Sequence, residues 1–150
     1  MHADPLTDHS LDEAAIDCLA FAHTRTVDAL AGYEKMVEKA EPGFLSVATR
    51  FRDLHAAHAA SLAAMLRQQG RAPDAEGSFM ARVNRMVVAT RAFFDEIDAD
   101  VMSQVRSGEE HVLAAYRAAE SGVPYPVVKS LVAGMRTELQ ALLAETRQVG

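Results

Sequence analysis

The sequence predicts an all-α protein, a four-helix bundle in up-down-down-up order with a short crossover helix between its second and third long helices. Three observations carry this. Apolar residues recur at three- and four-residue steps through four long stretches, and no stretch alternates with period two. The chain leans on alanine, leucine, valine and methionine, which favour helix, and has few prolines or glycines. Two of the breaks between the long stretches are tight turns and one is long, as a chain that must cross the length of a bundle requires.

The first helix opens at Ser10-Leu11-Asp12-Glu13, a capping box in which the serine accepts from a free amide and the glutamate reaches back. It runs to Ala40 with Ile16, Leu19, His23, Val27, Leu30 and Val37 on its apolar stripe, and Glu41-Pro42-Gly43 ends it. The second helix spans Phe44 to Gln69. Gly70 and the segment Arg71 to Gly77 form the clearest loop. Phe79 to Phe94 is the crossover helix, apolar on one face with Arg82, Arg85 and Arg91 on the other. Asp95 to Asp98 breaks it, and Asp98 caps a third long helix to Ser121. After the turn Gly122-Val123-Pro124-Tyr125-Pro126, the last helix covers Val127 to Arg147, with Val128, Leu131, Met135, Leu139 and Leu142 as its stripe. Residues 10–150 thus read as one domain, preceded by a flexible N-terminus at 1–9.

Hydrophobic residues make up 49% of the 150-residue chain and charged residues 24%, as in ordinary globular domains. A net charge of −6 repels phosphate backbones, and 6% aromatics without tryptophan offer no stacking platform, so nucleic acid is not an expected partner. No apolar run approaches the ~20 residues that span a bilayer. The opening MHADPLTDHS lacks the basic and apolar regions of a secretory signal, which sets the expectation of a cytoplasmic protein. The lone Cys18 leaves no intramolecular disulfide or thiolate-rich zinc site and reads as a small buried hydrophobe. A Gly-rich phosphate loop, Gly-x-Ser-x-Gly and Cys-x-x-Cys are all missing, and no catalytic set stands out.

The informative residues are polar groups on apolar stripes. Phe51, His55, His58, Leu62 and Met65 step by four and three along the second helix, so both imidazoles face the core. Glu109 lies on the stripe of Val101, Val105, Val112, Tyr116 and Ala119 in the third long helix. His23 lies on the first helix's stripe, and Glu138 at the edge of the last. A buried carboxylate costs several kcal/mol unless it is paired, protonated or bound to a cation. Glu109 therefore either shares hydrogen bonds with the imidazoles or joins them around an ion; Tyr33 and Tyr116 are further partners for core histidines.

Gly108-Glu109-Glu110-His111-Val112-Leu113-Ala114-Ala115-Tyr116, together with Asp28-Ala29-Leu30-Ala31-Gly32-Tyr33 and Gly77-Ser78, resembles the ferritin-like superfamily, in its uncharacterised bacterial branch of the domain-of-unknown-function 2383 type. The resemblance covers the chain from Leu11 onward and implies a ferritin-like bundle. Ferritin-like di-iron proteins take one glutamate from each of two helices and a Glu-x-x-His pair from each of the other two. Carried over, Glu109 resembles one single-glutamate ligand, while Thr26 stands at the other. His55-Ala56-Ala57-His58 replaces one pair, and Glu138-Leu139-Gln140-Ala141 keeps the acid without the histidine. The resemblance thus implies a degenerate site holding one zinc, iron or manganese ion through His55, His58 and Glu109, with His23 or Glu138 as a fourth ligand. The alternative is a metal-free structural or interaction module, a homo-oligomer, expected as a dimer, or a partner-docking bundle. The crossover helix, apolar on one face and arginine-bearing on the other, is what suggests docking on a partner protein, a second subunit or an anionic membrane surface, although covering the end of the core is the favoured reading of that helix.

Overall fold

The computed structural model describes residues 13–73 and 102–147. The expected N-terminal segment, the capping box at Ser10, the crossover helix at Phe79 to Phe94 and the cap at Asp98 lie outside the described residues. Within them the chain is all-α: α1 (Glu13–Lys39), α2 (Pro42–Gln68), α3 (Met102–Gly122) and α4 (Pro126–Glu145), with no strand.

Two helix starts differ from the sequence expectation for one physical reason. Pro42 and Pro126 open α2 and α4 where the sequence placed them in the turns before those helices. The first amides of a helix have no intrahelical acceptor, so a residue without an N–H loses nothing there. Glu41 O then accepts from the amides of Phe44 and Leu45, both at 2.9 Å, and starts the ladder. Gly122, also placed in the turn, closes α3. A Cβ at Gly122 would lie 3.0 Å from Cys18 Sγ, so the glycine lets α3 approach α1 there.

The stripes of α2 and α3 are buried as the spacing predicts: Phe51, His55, His58, Leu62 and Met65 on one, Val105, Glu109, Val112, Tyr116 and Ala119 on the other. In α4 the buried set is Val132, Met135, Leu139 and Leu142, and Leu131 is 52% exposed. Val132 completes the three-and-four stepping to Met135 and Leu139, which turns Leu131 toward the outside. On α1, Val27, Leu30 and Val37 are only half-buried, while Ala15, Leu19, Ala22, His23, Thr26 and Tyr33 face inward.

Tyr33 against Phe51 joins α1 to α2, and Thr26 against Tyr116 joins α1 to α3. Arg136 Nε donates to Glu120 at 2.5 Å between α4 and α3, and Arg106 of α3 donates to the carbonyl of Arg147 at 2.8 Å, just past the end of α4. α2 and α4 pack less closely than α1 with α2, α1 with α3 or α3 with α4, and the ion pair of Arg50 with Glu145 bridges them at one end. No helix among the described residues is long and apolar enough to cross a membrane.

Candidate functional site

The inward histidines of α2 meet polar groups from the three other helices. His55 is fully buried, and its Nε2 lies 2.7 Å from Oε2 of Glu109, itself 1% exposed. His55 Nδ1 is buried with no hydrogen-bond partner among the described residues. A bare lone pair is cheaper to bury than an unpaired N–H, so the hydrogen belongs on Nε2, which donates to the carboxylate. Tyr33 stacks on His55 with ring centroids 5.3 Å apart and on Phe51 at 5.2 Å, near parallel in both cases. Burial, and after it the charge and hydrogen bonding of Glu109, push the Tyr33 hydroxyl well above the usual tyrosine range.

His58 serves a second branch. Thr26 Oγ1 donates to the carbonyl of Ala22 at 2.8 Å and is hydrogen-bonded to the Tyr116 hydroxyl at 2.9 Å. The Tyr116 hydroxyl is also hydrogen-bonded to Nδ1 of His58, at 3.2 Å. The remaining nitrogen, Nε2, lies 3.3 Å from Oε1 of Glu138, whose side chain is 66% exposed. Hydrogen bonds thus link the surface of α4 to the backbone of α1 through Glu138, His58, Tyr116 and Thr26. Burial, with the charges of Glu109 and Glu138, raises the Tyr116 pKa, so the phenol stays a neutral donor; the Thr26 bond opposes that rise.

Burial lowers the His58 pKa from 6.5, against the opposing bond and charge of Glu138. The unfolded chain therefore takes up a proton first as pH falls, and stability drops as pH passes downward through about 6.5, levelling off below the folded-state pKa where both states are protonated. Urea midpoints measured between about pH 7.5 and 5.5 will fall less in His58→Gln than in the wild type, because glutamine removes that titration.

Of the expected ligands, His55 meets Glu109 and His58 meets Glu138, in two separate pairs. The two imidazoles are nearly perpendicular, 6.4 Å between centroids. His23 is buried on α1, and no group of three or more His, Cys, Asp or Glu residues among the described residues converges as an ion's ligands would. As placed, His55 and His58 each face a different carboxylate. His111 is exposed. Sequence reasoning treated Thr26 only as a vacant ligand position; its buried place on α1, one turn after Ala22, was the available signal for its role under Tyr116.

A family model for a domain of unknown function, DUF2383, matches residues 14–121. The chain belongs to the DUF2383 family. The match takes in α1, α2 and α3, hence Thr26, Tyr33, His55, His58, Glu109 and Tyr116, and stops short of α4 and Glu138. Neither the curated proteins nor the solved structures contain a match to this DUF2383 chain.

Proposed function

We propose that this chain is a ferritin-like, up-down-down-up bundle whose mid-level donor groups form a hydrogen-bonded core, and that it acts as a helical module through association of its copies. The helix order is supported by the cross-contacts. Arg71 with Glu13 and Tyr33 with His55 set α1 against α2 in opposite directions, whereas His55 with Glu109 and His58 with Tyr116 give α2 and α3 the same direction. Arg136 with Glu120 and Arg106 with Arg147 turn α4 back.

The observation that carries the metal-free reading is the pairing of the donors: His55 Nε2 is closed by Glu109, and His58 Nδ1 by Tyr116. Each engaged nitrogen has a protein partner, so neither needs an ion to be satisfied. Association is supported by Val127 and Leu131, one turn apart on α4 and 72% and 52% exposed.

Two measurements test this. Elemental analysis of purified protein, before and after incubation with zinc, iron and manganese, is expected to find far less than one ion per chain. A ratio near one that His55→Ala abolishes overturns the reading and assigns the ion to His55, His58 and Glu109, with His23 or Glu138 completing the set. Sedimentation is expected to find a dimer that Val127→Asp weakens about tenfold or more. Aspartate in the first turn of α4 suits the helix dipole, so the fold is kept. A wild-type monomer at every concentration overturns association.

A further inference from the structure

From Leu54 to Leu66 α2 carries no Asp, Glu, Lys or Arg, yet Ala56, Ala57, Ala60, Ser61 and Ala64 are exposed there. The solvent face of a surface helix ordinarily carries charged and polar side chains, and 24% of this chain is charged. On α4, Val127, Leu131, Gly134, Glu138 and Ala141 step by four and three, the spacing of a helix–helix seam, and all five are exposed. α4 therefore has one seam buried in its own bundle, through Val132, Met135, Leu139 and Leu142, and a second that faces outward.

The two uncharged stretches flank a groove of about 500 Å³ between α2 and α4, a pair that packs less closely than the three tighter helix pairs. Ala64 and Met65 stand on one wall, Leu131 and Gly134 on the other, and Glu138, bonded to His58, is the one Asp, Glu, Lys or Arg among the described residues that line it. Gly134 sits inside α4, where glycine is the poorest helix former after proline. No contact within the described bundle calls for it, because a Cβ there would meet nothing within 4 Å. A group approaching closely from outside would call for it.

We infer that the occupant of this groove is a second copy of the chain, joined face to face about a two-fold axis, with Leu131 of each copy seated beside Gly134 of the other. The inference rests on the association reading above and adds the surface and its partner. A half-exposed leucine and an open seat lie on the same face, so one fit is made twice and the assembly closes at two copies. The size suits a dimer. α4 has 20 residues and is about 30 Å long, and two adjacent helices are about 20 Å across. The projected face is then about 600 Å², comparable to the roughly 800 Å² of accessible surface that each partner of a standard interface contributes.

The test is sedimentation of the full-length chain across a range of concentrations, with urea unfolding of each variant beside it. Ala64→Lys places a charge on the α2 wall, at an exposed position near the helix C-terminus that a cation suits. Gly134→Leu fills the seat with no clash inside the bundle. Each is expected to weaken the dimer about tenfold or more while the helical circular dichroism is unchanged. Ala114→Lys, an exposed change on α3 away from the groove, is expected to leave the dimer as it is. A dimer that Val127→Asp weakens but Ala64→Lys and Gly134→Leu leave intact overturns this surface and keeps the association reading. Variants that lose stability at an unchanged oligomeric state also overturn it, because the groove is then covered from within the same chain. A wild-type monomer at every concentration overturns both readings.

Discussion

His55→Ala is expected to destabilise the protein by about 3–5 kcal/mol, a large part of the roughly 5–15 kcal/mol that holds a domain of this kind together. The substitution removes the imidazole that donates to Glu109 at 2.7 Å and leaves a carboxylate that is 1% exposed without that partner. The loss is the desolvation of an unpaired charge, not the worth of one hydrogen bond. The matching control is a double substitution. Replacing both His55 and Glu109 with leucine removes the charge along with its partner, and such swaps are often neutral or stabilising, so most of the lost stability should return. Urea unfolding of the wild type, His55→Leu, Glu109→Leu and the double leucine variant closes the cycle. A cost below about 1 kcal/mol for His55→Ala would mean that Glu109 is not held as a buried charge.

Phe51→Ala carries a comparable expected cost, about 3–5 kcal/mol, through packing alone. Phe51 is fully buried, and its ring lies under Tyr33, which in turn lies on His55. Truncation opens a cavity one turn from the polar pair and frees the tyrosine on one of its contacts. Phe51→Leu keeps most of the volume and should cost less than about 1.5 kcal/mol. Thermal or urea denaturation of the two variants tells these apart. If both lose the same amount, the ring stacking, and not the filled volume, is what Phe51 supplies.

The elements that were legible in the sequence are those fixed by periodicity. The steps from Phe51 to Met65 and from Val105 to Ala119 place His55, His58 and Glu109 inside, because helical geometry leaves those residues one face to occupy. Leu131 was misplaced because α4 is apolar at 127, 128, 131 and 132, and two stripes fit such a segment equally well. The proline positions were misread because one residue both ends a helix and begins the next. The pairing within the site was not legible at all. Which carboxylate meets which imidazole depends on the relative height of helices far apart in sequence, and Glu138 reaches His58 from a position that is itself mostly exposed. Thr26 joined the network only because Tyr116 comes down beside it from another helix.

The chain has no tryptophan and three tyrosines. Two of them, Tyr33 and Tyr116, are buried in the polar layer, one stacked on His55 and the other bonded to His58; Tyr125 is half-buried at the start of α4. The intrinsic ultraviolet fluorescence and near-ultraviolet dichroism of this protein are thus largely signals from the site. An added ion or a change of acidity that reaches His55 or His58 can be followed optically in the unlabelled chain, with little background from elsewhere in the molecule.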